Sequence, residues 1–486
     1  MLPRFPLPLF LKGLITLVFL GVLASCQITD DFGRKSSKSG GLRPSLVDGV
    51  SQKEHPRVVA TYGGVYSDEG AEQAIARVVG SLVAASDNPN THYRITLLNS
   101  PTVNAFALPE GYLYITRGLL ALANDTSELA AVLSHEMAHV TANHAVQRQR
   151  RAAAAALANR VMSSVVADQS TVSEAERTSQ VSFARFSQEQ ELLADDIGIR
   201  TLSKAGYDPF AAARFLKTMG EFAKFQSLSG ETNSAPDLLS SHPNTPERVQ
   251  RAIRSARQIG APGIGVKGKQ QYLTSIDGVL FGDDPLEGYV RGRSFLHKAL
   301  GISFSVPKGY VLENATEAVL ASNGGGTAMR FDGADLKGYD TLESYLRSGW
   351  INGLIANSVR PTTVNGLPAV IGSAVTDGWS FRIGVVRIGS TGYRFIFASR
   401  TPGSTFTSQF EQTLNSFRQL SAAELARLRP LRIKIIEARK GDTARKLAVK
   451  MSGIEPARRY ELFSILNQTK GNERFEDKRL LKVVVD

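Results

Sequence analysis

The nine residues 132–140 read VLSHEMAHV and place two histidines and a glutamate inside an otherwise apolar run. His135 and His139 are four residues apart, so a helix carries both imidazoles on one face, one turn apart. Two imidazoles in this arrangement can bind one divalent metal ion, and Glu136 can reach a water on that metal. A core helix rarely tolerates such polar side chains without partners. The stretch therefore predicts a metal-binding helix.

The chemistry that this pattern supports is metal-assisted hydrolysis. Catalytic zinc takes three protein ligands and keeps one position for water, and it lowers the pKa of that water toward about 7. Glu136 can then accept the proton and pass it to a leaving amine. We predict one zinc ion per chain, although two histidines and a carboxylate also suit iron or cobalt.

The helix that carries the motif is predicted to run from about residue 126 to residue 166. Asp125 can cap its start, and Glu128 three residues on completes a pattern like a capping box. Leu129, Val132 and Leu133 supply an apolar face at helical spacing. The motif therefore faces the interior of the protein.

Two carboxylates downstream are candidates for completing the site. The stretch FSQEQELLADDIG, at 186–198, carries Glu191 and Asp195 four residues apart, on one face of a helix whose start Ser187 and Gln190 predict. Glu191 is the candidate third ligand, and Asp195 can accept a hydrogen bond from the outer nitrogen of a ligating histidine. Taken alone, the pair is better explained as a solvated helix face.

Four stretches together resemble the M48 family of zinc metallopeptidases, the HtpX-like group that includes periplasmic assembly proteases. The resemblance covers about residues 56–258 and implies roles for five residues. It assigns zinc coordination to His135, His139 and Glu191, proton transfer to Glu136, and support of a ligand to Asp195. The stretches are NAFALPEGYLYITRGLL (104–120), ELAAVLSHEMAHV (128–140), FSQEQELLADDIG (186–198) and SHPNTPERV (241–249).

The first of these stretches predicts two short strands around a turn at Pro109, Glu110 and Gly111. In such metallopeptidases an edge strand above the zinc pairs with the substrate backbone, which requires an extended or unfolded peptide. The resemblance implies this role for Asn104, Ala105, Phe106 and Ala107. The chain departs from the family at Glu110, where glycine is frequent, and at Gln188, where arginine is frequent. Neither position is a predicted ligand.

The fourth stretch adds a third histidine. Thr245 and Pro246 predict the cap and the first residue of a helix. In some periplasmic relatives the matching histidine reaches the zinc and blocks its open position, which implies that His242 gates the site. Arg248 resembles a family arginine near the site, which implies that it stabilises the oxyanion. The alternative for His242 is a surface residue at the start of the helix.

The other four histidines receive no functional assignment. His144 follows His139 by five residues, which turns it away from the ligand face of the helix. His55, His92 and His297 are isolated in the sequence and are predicted to lie at the surface.

The N-terminus resembles a bacterial lipoprotein signal. Residues 1–25 carry Arg4 and Lys12 ahead of a short apolar run. Cys26, the only cysteine of the chain, follows small residues, which implies cleavage before it and a lipid on its thiol. Gln27 in the next position implies the outer membrane. The alternatives are an ordinary signal peptide and an uncleaved anchor, although the apolar run is short for a membrane span.

The predicted fold class is α+β, in several parts. The order is a signal peptide at 1–25, a flexible tether at 26–55, a mainly helical zincin-type HExxH domain with a small edge sheet at 56–265, an α+β accessory domain of unknown function at 275–420, and a small βααβ module at 431–486. The accessory domain faintly resembles sandwich domains of the PsbP type. The last module resembles LysM at Gly441-Asp442-Thr443 and at Leu466-Asn467, which implies binding to the glycan strands of peptidoglycan.

The formal net charge of +12 indicates anionic partners. Residues 431–486 alone hold 14 lysines and arginines against eight aspartates and glutamates. In an exported protein these partners are the cell wall or lipid headgroups rather than nucleic acid. The alternative is a solvated basic surface.

The sequence therefore predicts a lipid-anchored zinc endopeptidase of the bacterial envelope that faces the periplasm, hydrolysing unfolded or misassembled envelope proteins. One alternative is a chaperone or assembly factor for outer-membrane proteins, with the zinc site held shut by His242. A second alternative is a peptidoglycan-binding adaptor that acts through residues 431–486.

Overall fold

The computed structural model describes residues 50–165, 169–229, 238, 242–243, 245–315, 318–471 and 473–486. The predictions on the signal peptide and Cys26, and on the tether up to residue 49, lie outside these residues. Within the described part of the chain, no helix is both long enough and apolar enough to cross a membrane.

The first half of the described chain is mainly helical, and one buried helix lies at its centre. The helices are α1 (Val50–Thr61), α2 (Glu69–Ala85), α3 (Arg117–Leu122), α4 (Thr126–Thr141), α5 (His144–Val165), α6 (Gln169–Lys204), α7 (Ala211–Ser229), α8 (Pro246–Ile259) and α9 (Lys269–Ser275). Helix α4 packs against α2, α6 and α7, and nearly all of its residues are buried. The motif helix is therefore the core of this half, as its apolar pattern predicts.

A close approach of α6 to α4 depends on one small residue. Gly198 lies on α6, where an added Cβ would come within 3.1 Å of the backbone nitrogen of His135. A Cβ at this position would require the two helices to shift by a few tenths of an ångström. The close approach of α6 to α4 therefore helps to set the distance between Glu191, which lies on α6, and the histidines of α4.

A three-stranded sheet flanks the motif helix. Its strands β1 (Arg94–Leu98), β2 (Ala105–Leu108) and β3 (Tyr112–Thr116) lie in the order β1-β3-β2, with β1 parallel and β2 antiparallel to β3. Strand β2 is thus an edge of the sheet and contacts α4. The predicted turn joins β2 to β3, and Gly111 there has φ +79 and no room for a Cβ, which would meet the carbonyl oxygen of His92.

Residues 289–419 form an antiparallel β-rich region. The strands are β4 (Tyr289–Arg291), β5 (Ser294–His297), β6 (Ile302–Ser305), β7 (Val311–Ala315), β8 (Ala318–Ser322), β9 (Thr327–Asp335), β10 (Arg360–Val364), β11 (Leu367–Thr376), β12 (Trp379–Ile388), β13 (Thr391–Ser399) and β14 (Arg418–Gln419). One sheet has the order β10-β11-β12-β13-β9-β8-β7, and the other has the order β14-β6-β5-β4. The helices are α10 (Leu342–Leu346), α11 (Ser404–Ser416) and α12 (Ala422–Arg427). Buried phenylalanines, among them Phe304, Phe331 and Phe395, fill the core.

The C-terminal residues have the predicted strand–helix–helix–strand order. The elements are β15 (Arg432–Glu437), α13 (Ala444–Ala448), α14 (Pro456–Asn467) and β16 (Leu480–Val485), and the two strands pair antiparallel. The LysM identity of this module stays a prediction. Its buried side chains, such as Phe463 and Val484, belong to the same hydrophobic cluster as Leu119 and Leu129 of the helical half. The module therefore shares a core with the metal-binding helix.

Two details of the helices differ from the sequence predictions. The predicted helix from 126 to 166 is interrupted at Ala142 and at Asn143, whose φ is +55, so that α5 begins afresh at His144. The predicted helix start at Ser187 is wrong, because Ser187 lies inside α6. Residues with capping preferences also occur inside helices when tertiary packing favours a longer helix.

Lys482 of β16 joins the module to the helical half. Its side chain is fully buried, and Nζ donates to the carbonyl oxygens of Ala121 (2.8 Å), Leu122 (3.1 Å) and Ala123 (2.7 Å) at the end of α3. Burial lowers the pKa of Lys482 to about 7, and the nearby Glu128 carboxylate opposes that shift. The cation satisfies carbonyl groups that the end of a helix otherwise leaves without partners.

We expect Lys482→Met to lower the free energy of unfolding by about 2 kcal/mol, because buried carbonyl groups lose their donor. Chemical denaturation at pH 7 measures the change. Lys450→Met is the matched control, since Lys450 is exposed on the same module and its loss should change stability by less than about 0.5 kcal/mol. Equal stabilities of the two variants would show that the bonds from Lys482 contribute nothing net.

Candidate metal centre

Helix α4 is fixed at its N-terminus by a buried carboxylate network. Asp125 Oδ1 accepts from the backbone nitrogen of Glu128 at 2.9 Å, which is the predicted cap. The Glu128 carboxylate turns back to the backbone nitrogen of Asn124 (2.9 Å) and also binds Gln468 of the C-terminal module (2.7 Å). Arg214 of α7 pairs with both acidic side chains. These contacts determine where the motif histidines lie.

Four side chains from different parts of the chain converge on one buried point. His135 Nε2 lies 3.0 Å from His139 Nε2 and 3.3 Å from Glu191 Oε2, and His139 Nε2 lies 3.4 Å from Glu191 Oε1. His242 Nδ1 lies 2.8 Å from Glu191 Oε2. All four side chains are buried, and their candidate ligand atoms lie within 4.8 Å of one another.

The donor set fits a tetrahedral metal ion. Ligand bonds of 2.0–2.1 Å in a tetrahedral zinc site separate the donor atoms by about 3.3 Å, close to the distances between the imidazole and carboxylate atoms here. The electrostatics agree, because a buried carboxylate needs a cation nearby. Burial opposes protonation of His135, yet Asp195 and Glu191 outweigh it and raise the pKa of His135 to about 10. The cluster thus attracts positive charge.

Asp195 contacts a candidate ligand, but among the described residues His135 Nδ1 forms no aligned hydrogen bond, so support of the ligand stays a prediction. Asp195 Oδ1 lies 2.9 Å from His135 Nδ1, the nitrogen that faces away from the cluster. Arg248 holds this carboxylate with two hydrogen bonds of 2.9 and 2.8 Å and comes within 3.2 Å of Glu191 Oε2. The third guanidinium nitrogen donates to the carbonyl oxygen of Pro243. In this arrangement Arg248 orients the acidic side chains of α6.

Glu136 lies at the rim of the cluster with one oxygen unengaged. Its side chain is buried, and burial raises the pKa of the carboxyl group. Among the described residues Oε1 has no hydrogen-bond partner, and it lies 3.6 Å from His242 Nε2. A buried carboxylate oxygen without a partner is costly unless water or substrate binds to it. The general-base role of Glu136 stays a prediction.

His144 is a residue that sequence reasoning missed. The helix is interrupted after Thr141, which turns His144 back toward His139. His144 is buried, and its Nδ1 lies 2.8 Å from Nδ1 of His139. Burial lowers the pKa of His144 to about 4, which keeps the ring neutral and able to accept a hydrogen bond. The outer nitrogen of His139 thus contacts an imidazole, whereas that of His135 contacts a carboxylate. Ideal helical phase alone could not predict this contact.

The other histidines lie outside the cluster. His55 is not an isolated surface residue, because its Nδ1 lies 2.9 Å from the hydroxyl of Tyr114 and its ring stacks on that of the tyrosine. His92 is exposed, and His297 is half-buried in the β-rich region.

The predicted edge strand lies against the motif helix α4. Ala105, Phe106 and Ala107 belong to β2, whose outer edge is not paired to another strand among the described residues. Asn104 immediately before β2 donates from its side chain to the hydroxyl of Tyr62 at 3.0 Å. Strand β2 contacts α4, and its role in binding a substrate backbone stays a prediction.

Comparison with known families agrees with this geometry. Residues 69–256 match peptidase family M48, and the match includes both motif histidines, Glu136 and Glu191. This region of the chain is therefore similar to M48 peptidases. Its His and Glu metal site is intact, as in a metalloendopeptidase.

Curated relatives match the same part of the chain. A putative beta-barrel assembly-enhancing protease of Vibrio cholerae serotype O1 is 30% identical over 40% of this chain and 41% of its own length. The beta-barrel assembly-enhancing protease of Escherichia coli K12 is 29% identical over 37% of each chain. The mitochondrial metalloendopeptidase OMA1 of Schizosaccharomyces pombe is 27% identical over 42% of this chain and 58% of its own. The chain thus spans only about two-fifths to three-fifths of these relatives.

The solved structures add no support for the accessory domain. Cyanobacterial PsbP from Synechocystis sp. PCC 6803 aligns over 27% of this chain and 98% of its own, with 13% identity and a TM-score of 0.21. A likeness at that level assigns no fold, and the PsbP-type resemblance stays a prediction.

We expect His144→Leu to weaken zinc binding about 10- to 100-fold, because His139 loses the partner that fixes its ring. Competition with a chromophoric chelator at pH 7 measures the affinity. His144→Asn should recover part of it, since an amide oxygen can accept the same hydrogen bond, and exposed His92→Leu is the control. Unchanged affinity in the leucine variant would mean that His139 needs no such support.

Proposed function

We propose that the protein is a zinc-dependent endopeptidase of the bacterial cell envelope that hydrolyses unfolded or misassembled envelope proteins. The observation that carries this proposal is the convergence of His135, His139 and Glu191 beside the unengaged oxygen of Glu136. Zinc bound there would polarise the scissile carbonyl and lower the pKa of a water molecule to about 7. A metallopeptidase needs no more than this set at its centre.

In this proposal each residue of the chain has one task. His135, His139 and Glu191 hold the metal, and Asp195 and His144 fix the orientation of the two histidine rings. Glu136 accepts the proton of the attacking water at Oε1 and delivers it to the leaving nitrogen. Arg248 forms ion pairs with Asp195 and Glu191 and so holds both carboxylates in place. Its guanidinium can also balance the negative charge that develops on the scissile carbonyl.

The substrate would bind by its backbone. Strand β2 offers an open edge next to α4, and an extended peptide can add to it as a further strand. Such pairing needs a segment whose own backbone groups are free, which excludes most folded proteins. The proposal therefore names unfolded or misassembled chains as substrates.

His242 gives a second candidate function. In the structure it completes a closed set of four protein ligands, and closed sets are typical of structural zinc sites, whereas catalytic sites keep a position for water. Hydrolysis then requires His242 to leave the cluster. If it does not, the protein acts as a chaperone or assembly factor for outer-membrane proteins, with a self-blocked metal site.

The envelope location rests on the sequence and on the relatives. The lipoprotein-like N-terminus implies a lipid on Cys26 and a position on the periplasmic side of the outer membrane. Two of the relatives are described as beta-barrel assembly-enhancing proteases of bacteria. A role of residues 431–486 in binding peptidoglycan is part of the same proposal, supported by their basic charge and strand–helix–helix–strand order.

The deciding experiment is cleavage of casein, an unfolded protein, by a form of the chain that begins after Cys26. Wild type, Glu136→Gln, His242→Ala and the exposed control His92→Ala are compared, with the zinc content of each measured. We expect about one zinc in every variant, and a loss of at least about 100-fold in the glutamine variant. We expect cleavage by His242→Ala to equal or exceed that by wild type.

The outcomes separate the candidate functions. Cleavage only by His242→Ala makes that histidine the gate. Bound zinc without cleavage in any variant favours the assembly factor, and an absence of bound metal contradicts both candidates.

A further inference from the structure

A cavity of about 60 Å³ lies where the helical half of the chain meets the β-rich region. Its walls come from the end of α1, the residues after β1, the start of α3, the residues before β4 and the end of β7. It is lined by none of the four candidate metal ligands described above. A cavity of this size has room for about four water molecules or for one very small solute.

One wall of the cavity is a buried cation. Arg117, at the start of α3, is fully buried. Its Nε donates to Asn99 Oδ1 at 2.8 Å, and its Nη1 donates to the carbonyl oxygen of Leu280 at 3.2 Å. Among the described residues Nη2 has no hydrogen-bond partner. Because a buried guanidinium nitrogen without an acceptor is costly, an occupant of the cavity that offers an acceptor would be favoured.

Three acidic side chains line the same cavity. They are Asp283, Asp284 and Glu287, and Arg117 is the one basic side chain among the described residues that line it. Backbone N–H groups donate to both aspartates. Burial and the nearby Asp284 carboxylate raise the pKa of Glu287. Negative charge exceeds positive charge around the cavity, so an occupant that also carries a positive charge would be favoured.

We propose that this cavity binds a small free α-amino acid, of the size of glycine or alanine, as a zwitterion. The carboxylate of the ligand would accept from Arg117 Nη2, and its ammonium group would lie among the carboxylates of Asp283, Asp284 and Glu287. Both charges of the ligand would then have a charged partner. The site lies outside the metal centre, so the proposal goes beyond the endopeptidase and does not rest on it.

Other small ligands fit these walls less well. A phosphate ion would face three like charges. A metal ion would be repelled by Arg117, and the three carboxylates do not form a group of candidate metal ligands in the part of the chain that the structure describes. A longer amino acid such as leucine would exceed the volume. Glycine and alanine combine the required charges with the required size.

The ligand would also join two regions of the fold. Asn314 Nδ2, at the end of β7, donates to the carbonyl oxygens of Glu287 and Gly288 at 3.1 and 3.3 Å, which fixes the acidic segment to the β-rich region. Arg117 belongs to the helical half. An amino acid bound to both Arg117 and Glu287 would therefore bridge the two regions and stabilise the folded chain.

Calorimetric titration of the full, zinc-loaded chain in detergent tests the proposal. Glycine, alanine, glycinamide, acetate and leucine are titrated separately. Glycinamide keeps the ammonium group without the carboxylate, and acetate keeps the carboxylate without the ammonium group. We expect glycine and alanine to bind at least about tenfold more tightly than the other three, because each of those lacks one charge or exceeds the volume.

Three variants locate the binding. Glu287→Gln should weaken glycine binding at least about tenfold, because the ammonium group loses a carboxylate while the side chain keeps its size. Glu411→Gln is the matched control, since Glu411 is exposed on α11 and does not line the cavity. His139→Ala controls for chelation of zinc by glycine and should leave the affinity unchanged. Glycine should raise the unfolding temperature of wild type but not of Glu287→Gln, and the same measurement identifies a variant that fails to fold.

Equal affinities of glycine and glycinamide, or of glycine and acetate, would overturn the proposal. An absence of glycine binding at millimolar concentrations would do so as well, because water alone would then fill the cavity. Glycine binding that His139→Ala abolishes and Glu287→Gln leaves unchanged would assign the amino acid to the zinc instead.

Discussion

The chemistry of this protein depends on one buried carboxylate. Glu191 stands on α6 and faces His135, His139 and His242, which come from α4 and from the residues just before α8. Burial alone would raise the pKa of Glu191, but His135 and His242 hold it below its usual range. A charge so enclosed needs a cationic partner, and Arg248 supplies one at 3.2 Å. The packing of the helices places this carboxylate and the imidazoles where together they could hold one metal ion.

The position of that carboxylate depends on contacts far from it. Gly198 lets α6 approach α4 closely, and Glu128 holds the start of α4 through Arg214. Glu128 of α4 also accepts a hydrogen bond from Gln468, and the carbonyl groups at the end of α3 accept hydrogen bonds from Lys482. The C-terminal module therefore contacts both α3 and α4. A module added only to bind the cell wall would need no such buried bonds. The shared core indicates that residues 431–486 contribute to the fold of the metal-binding half.

Much of the site could be predicted from the sequence because its parts are local patterns. The spacing of His135 and His139, the cap at Asp125 and the strand–turn–strand before them depend on helix geometry and turn chemistry within a few residues. The third ligand is not local, and from the residues alone Glu191 was better explained as solvated. It needed the family resemblance, because only the fold brings α6 to α4.

The misses have the same physical origin. His144 was set aside because an ideal helix turns it away, but the chain leaves the helix at Asn143 and returns the imidazole to His139. The start predicted at Ser187 failed because tertiary packing extended α6 past a residue with capping preference. No short stretch of the sequence predicts that residues 431–486 share a hydrophobic core with the helical half. Contacts between segments 300 residues apart follow from the fold as a whole.

His242 decides whether the proposed function needs a second state of the site. It lies with His135, His139 and Glu191 in a set of four candidate ligands, so under that proposal it must leave before a water or a carbonyl can bind. A peptide that paired with β2 would gain binding energy that can offset this displacement. The equilibrium between the closed and the open site would shift only as far as the peptide binds the open site more tightly than the closed one.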